Sequence, residues 1–181
     1  DEGSVRVPFF IRWLGKIKEG SDVKRIAAHI DIFPTFADLA GLKLDTKLSK
    51  QVEGRSLLKL IADPEADWED RFLFTQKARW KTGSEPSDHM WKNFSVRNQR
   101  YRLVGQNLFD MISDPSQKFD ISKANPEVVN TMRKAYEEFW NKARPLMVNE
   151  KVPMSKFRPY HVWYKEQLAA KGIPVWNSPK L

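Results

Sequence analysis

The 181-residue sequence contains no cysteine, which excludes disulfide bridges and cysteine-ligated zinc. It leaves the compartment open, because a cysteine-free chain is at home in cytosol or periplasm. No apolar run approaches the ~20 residues that a membrane-spanning helix needs, so no membrane span is expected. The chain opens on Asp1-Glu2-Gly3-Ser4 rather than on a basic and then apolar segment, so no signal peptide is read there. There is no G-x-S-x-G, Walker loop, H-E-x-x-H or EF-hand pattern. The three histidines, His29, His89 and His161, lie far apart. A hydrolytic centre needs a nucleophile, a base and a group to bear negative charge close together. No such set can be assembled, so no catalytic and no metal-binding residue is assigned. His29 and Asp31, two positions apart, have no third ligand nearby and are read as structural.

What the chain does have is charge and aromatic content. Thirty-one basic residues against 23 acidic give a net charge of +8, a balance that attracts polyanions. The cations are scattered, with no basic helix and no run of five, and read as a solvated surface with no nucleic-acid partner expected. Val7, Phe9, Phe10, Ile11 and Trp13 place apolar side chains on both sides of residues 5–13. That pattern predicts a strand buried between neighbours, as in a parallel sheet. Residues 26–30 read as a second short strand. Asp31 then reads as a helix cap, with Pro34 in the first turn, Ile32, Phe36, Leu39 and Ala40 on the packed face and Gly41 as the stop. Residues 42–53 read as a polar loop and 56–62 as a two-turn helix halted at Asp63-Pro64.

Beyond that point the apolar period changes from helical to two. Residues 72–76, 94–97, 101–104 and 107–110 predict four strands of an antiparallel meander, with Phe94, Val96, Tyr101, Leu103 and Leu108 or Phe109 on its buried face. Asn125-Pro126 marks a capped helix start. The apolar spacing from Val128 to Ala143 carries that helix ~27 Å across the meander. From Pro145 on, prolines and aromatics predict an extended strap around the body, with one short helix over residues 161–171 closed by Gly172. The long insertion over residues 76–93 stands out, since irregular loops beyond ~12–15 residues are often functional. It carries Lys77, Arg79 and Lys81 with Trp80, His89 and Trp91. Cations pair with anions and flat rings stack on the flat faces of ligands, so Arg79, Trp80, His89 and Trp91 are the candidate ligand-binding residues, which would contact substrate if the chain is part of an enzyme.

Three blocks carry a family resemblance. Asp1-Glu2-Gly3-Ser4-Val5-Arg6-Val7-Pro8, followed by Ile11-Arg12-Trp13-Leu14-Gly15-Lys16-Ile17, resembles the Y-E-G-G-x-R-x-P and W-P-G-x-I segments of the sulfatase family. Asp1, Ser4 and Leu14 replace the tyrosine, the second glycine and the proline. Asp31 with Pro34-Thr35 and Leu39-Ala40-Gly41 resembles D-x-x-P-T-x-x-x-L-A-G, and Gly54-Arg55-Ser56-Leu57 resembles G-x-S-L. The run from Tyr101-Arg102-Leu103-Val104 through Leu108-Phe109-Asp110 to Asp114-Pro115 resembles Y-K-L-x, L-Y-D-L and D-P-x-E-x-x-N, with Gln117 and Asp120 in place of the glutamate and asparagine.

The resemblance implies an α/β fold: residues 1–64 as the end of a large alkaline-phosphatase-like domain, 65–144 as a small α+β subdomain and 145–181 as a wrapping tail. It implies a parent that hydrolyses sulfate esters with a formylglycine beside a calcium ion, both supplied by motifs this chain lacks. The N-terminal part of the same protein would then be its partner and a sulfated small molecule or carbohydrate its substrate, in a periplasmic or secreted setting. The alternatives are a non-catalytic glycan-, protein- or nucleic-acid-binding module, and phosphodiester or phosphonate hydrolysis on the same fold.

Overall fold

Four short strands in sequence order form one antiparallel sheet: β1 (Leu73–Gln76), β2 (Phe94–Arg97), β3 (Tyr101–Val104) and β4 (Asn107–Asp110). A computed structural model describes residues 6–77, 80–81, 83–147, 157–170 and 172. The meander agrees with the two-residue period of the sequence. Phe74 faces Val96, Val96 faces Leu103, and Leu103 faces Leu108 across successive pairs, so one face is apolar throughout. Of the two candidates for the last strand, Leu108 is buried and Phe109 is not. Tyr101 is half-buried, packed at the edge of the same core.

The long helix covers that face. With α1–α3 assigned to three shorter helices upstream, it is α4 (Pro126–Ala143). Its Met132, Tyr136 and Trp140, four residues apart, are buried against Phe94, Val96, Leu103 and Leu108. Such spacing puts side chains in line on one helix face. Asn125 precedes the helix as expected but does not cap it. Its Nδ2 donates backward to the Ile121 carbonyl at 3.0 Å, an alternative that short amide side chains offer the backbone.

The first half of the chain departs from expectation. Among the described residues 6–13 there is no strand, and the side chains are exposed, Phe10 at 90 %. A strand is defined by ladder partners, and this segment has none among the described residues. Residues 29–31 form a 3-10 turn instead of ending a strand, leading into α1 (Ile32–Leu39). In α1 the buried residues are Pro34, Thr35 and Ala37, while Ile32, Phe36 and Leu39 are exposed. The packed face is thus opposite to the expected one, because α1 is fastened by polar groups rather than by its apolar stripe. Gly41 ends it with φ +68°, a conformation cheap only for glycine. The expected polar loop contains a short α2 (Thr46–Ser49), whose first N–H groups are capped by the Asp45 carboxylate. The helix expected over residues 56–62 is reduced to α3 (Leu58–Ala62).

The two motifs of the second block, residues 31–41 and 54–57, meet in space. Asp31 Oδ1 accepts from the Arg55 N–H at 2.8 Å, Thr35 Oγ1 accepts from the Leu57 N–H at 2.9 Å, and Ser56 Oγ donates to Asp38 Oδ2 at 2.6 Å. Gly54 sits so close to Ile30 that an added Cβ would lie 1.9 Å from its carbonyl oxygen. Arg71 then joins this unit to the start of β1 by donating through both terminal nitrogens to the Asp31 carboxylate. The β2–β3 turn adds a second tie: Gln99 Oε1 accepts from the Ile26 N–H and its Nε2 donates to the Lys24 carbonyl, both at 2.8 Å.

Most of the expected C-terminal strap, residues 148–156 and 173–181, lies outside the described residues. Within the described part, α5 (Pro159–Ala170) has no buried residue, and its Tyr160, Trp163 and Tyr164 are exposed. Its start and end nevertheless lie close to the expected helix, with Gly172 just beyond at φ +72°.

Candidate functional site

The β1–β2 loop and the β3–β4 turn leave the same end of the meander, because Gln76 pairs with Phe94 and Val104 pairs with both Ser95 and Asn107. The opposite end, the β2–β3 turn, is occupied by the contacts to Lys24 and Ile26. The candidate loop is therefore at the free end of the sheet.

A hydrogen-bonded frame holds the loop's return leg. Gln76, the last residue of β1, donates from Nε2 to the carbonyls of His89 (2.9 Å) and Lys92 (3.0 Å). Tyr136 Oη lies 2.7 Å from both Gln76 Oε1 and the Met90 carbonyl, and donates its single proton to one of them at a time. Burial pushes the Tyr136 phenol up to about 12, since the low-dielectric core disfavours the phenolate. The Lys77 N–H donates to the Asn93 carbonyl at 3.1 Å and closes the base. The loop is thus not wholly irregular: Pro86–His89 form a 3-10 turn, with Pro86 buried.

The three described candidate residues divide between two groups of rings. Trp80 and His89 stack, with ring centroids 5.0 Å apart and planes 15° from parallel. Trp80 is half-buried and packs against the sheet–helix core, so it fixes the imidazole rather than offering an open platform. Trp91 has different ring partners: Phe94 and Tyr136, each at 5.5 Å. Arg133 of α4 places its guanidinium 4.5 Å from the Trp91 ring centroid. Arg79 lies outside the described residues. The neighbouring Lys81 is exposed, and Arg144 reaches Glu85 of the loop at 3.9 Å.

Sequence reasoning missed Gln76 and Tyr136, which position the loop, and Arg133, which joins it from 40 residues downstream. Tyr136 was legible only as a core residue. Nothing in the local pattern of Arg133, one residue after the buried Met132, marks its contact with Trp91.

The buried Asp31 is the other concentration of polar chemistry. Burial alone would raise its pKa, but the Arg71 guanidinium and the N–H groups of Arg55 and Ala28 outweigh it and hold the carboxyl below the usual range. All of its partners are protein groups, so it serves as a fastener. Among the described residues no three His, Asp or Glu side chains converge as a metal cage, and the chain has no cysteine. The described residues do not fit a calcium and formylglycine centre.

Comparison with known proteins gives a match to the family model "N-sulphoglucosamine sulphohydrolase, C-terminal" over residues 1–148. The chain is 30% identical over 154 residues to human steryl-sulfatase, covering 75% of this chain and 25% of that protein. It is 29% identical over 152 residues to an N-acetylgalactosamine-6-O-sulfatase of Bacteroides thetaiotaomicron, covering 75% and 27%. The crystal structure of Ps i-CgsB superposes with a TM-score of 0.55 at 18% identity, covering 88% of this chain and 33% of that one. The chain thus spans about a quarter to a third of the length of these relatives.

Proposed function

The chain belongs to the sulfatase family, as a C-terminal portion on the alkaline-phosphatase-like fold, and on that premise we propose that it completes a sulfuric ester hydrolase and shapes one wall of its substrate pocket. The observation that carries this reading is the match over residues 1–148, which includes the whole meander, α4 and the 77–93 loop. The reactive groups of such an enzyme would come from the remainder of the protein, and the exposed apolar segment 6–14 with the outer face of α1 would pack against it. Its substrate would be a sulfated small molecule or carbohydrate met outside the cytosol. The loop would serve in ground-state binding, with His89, held by its stack on Trp80, and the cations Lys77, Arg79 and Lys81 facing sulfate or hydroxyl oxygens.

Two measurements test this. The 181-residue chain, given calcium and an aryl sulfate, is expected to show no turnover; hydrolysis by the pure chain would refute the placement of the chemistry elsewhere. In the complete enzyme, His89→Ala and Arg79→Ala are each expected to raise KM about tenfold at nearly constant kcat, the signature of lost uniform binding. An unchanged KM in both would remove the loop from the substrate pocket.

A further inference from the structure

A shallow hollow opens beside the loop at the free end of the sheet. Its lining includes Gln106 from the β3–β4 turn, Ser122 and Lys123 from the 3-10 turn before α4, and Val129, Asn130 and Arg133 from α4 itself. Two cations, two amides and a hydroxyl thus line it together with the apolar Pro126 and Val129. Neither Lys123 nor Arg133 forms an ion pair among the described residues. The charge of Lys123 is felt at Asp120, whose carboxyl is held below its usual range chiefly by the Ser122 N–H. Its Oδ1 is already engaged by the N–H groups of Ser122 at 2.9 Å and Leu108 at 3.0 Å.

Arg133 links the hollow to the loop. Its guanidinium lies over Trp91, and Trp91 is itself fixed against Phe94 and Tyr136. Stacking on a ring face holds a guanidinium in place while leaving the N–H donors at its edge free for an anion. A cation held this way loses less side-chain freedom on binding than a free lysine does, which favours a site over a merely solvated charge.

We propose that this hollow is a secondary subsite for a sulfated oligosaccharide, in which Arg133 and Lys123 hold a sulfate other than the one removed, and Gln106, Asn130 and Ser122 meet sugar hydroxyls. The proposal rests on the sulfatase reading and deepens it by naming the substrate class as an oligosaccharide bearing more than one sulfate. A sulfated sugar suits the site better than a nucleic-acid strand: single strands need open aromatic faces for base stacking, and the indole beside the hollow has a guanidinium over its ring.

The test is titration calorimetry of the 181-residue chain with a heparin-derived tetrasaccharide, unsulfated chondroitin tetrasaccharide and a short single-stranded DNA. The double variant Lys123→Gln/Arg133→Gln is expected to weaken heparin binding about tenfold or more, whereas Lys16→Gln/Lys18→Gln, with the same loss of charge, changes it less than about twofold. The unsulfated tetrasaccharide and the DNA are expected to bind more weakly than the heparin fragment. Absence of heparin binding by the unmodified chain, equal losses in the two double variants, or DNA binding equally tight and equally dependent on Arg133 would each overturn the proposal. His89→Ala separates it from the loop reading: a loss confined to that variant would overturn the hollow and leave the loop in place.

Discussion

At the residue scale the strongest single fastener is Asp31. It is fully buried, and its partner Arg71 is nearly so, with a side chain 7 % exposed. Asp31→Asn would leave the guanidinium buried without its counter-charge, and a loss of about 3–5 kcal/mol in urea unfolding is expected. Because the folded carboxyl lies below its usual value, its contribution is complete above the unfolded pKa of ~3.9 and fades as pH falls through the folded value. The unmodified chain should therefore lose stability on acidification below about pH 4, and Asp31→Asn should show a flatter profile there. Tyr136 has the opposite sign. Its pKa is raised to about 12, so its contribution holds below the unfolded value of ~10 and is lost as pH rises towards the folded one. Tyr136→Phe should cost about 1–3 kcal/mol near neutrality, because Gln76 Oε1 and the Met90 carbonyl lose their donor. It should also remove the alkaline component of unfolding; an identical alkaline profile in the variant would contradict this account of the frame.

At the element scale, legibility followed the kind of force that holds each piece. The strands and α4 were readable because their burial repeats at two and at three to four residues, as with Val96 opposite Leu103 and Met132 in line with Tyr136 and Trp140. The reading of α1 failed on its face: its apolar residues point outward, and Thr35 Oγ1 is held by the Leu57 N–H while its own hydroxyl donates to the Asp31 carbonyl. Such polar ties have no period. The Gly54 contact is equally silent in the sequence, since its cause is the approach of the Ile30 carbonyl and not a positive φ. Gly54→Ala must push two backbone segments apart. A loss of about 1–3 kcal/mol is expected, in the range of overpacked sites, with weaker protection of the Arg55 and Leu57 amides in hydrogen exchange. Unchanged exchange at both amides would mean the segments separate freely. Two of the four proposed loop residues, Trp80 and His89, were brought together, and Trp91 was assigned to other rings. Composition named the residue types, but the Gln76 and Tyr136 frame decided their places.

At the scale of the whole molecule, apolar side chains are distributed unevenly. Phe10 and Phe36 are 90 % and 64 % exposed, alongside Val7, Phe9, Leu14 and Phe33, while the sheet–helix core is closed. Exposed apolar area of this kind marks an interaction surface or an aggregation liability. Phe10→Ser/Phe36→Ser is expected to raise the solubility of the 181-residue chain while shifting its unfolding free energy by less than about 0.5 kcal/mol, as for surface positions. A large destabilisation would show that these rings already pack within the chain. By itself the sequence determined the meander and the long helix, because alternation and spacing state which side of an element avoids water, and its motif blocks carried the resemblance to the family. Only the tertiary structure decided that Asp31 meets Arg71, that Arg133 lies over Trp91 beside the hollow, and that residues 6–13 form no strand among the described residues. A residue's periodicity records that it is to be covered, but its partner is fixed by where distant backbone segments come to rest.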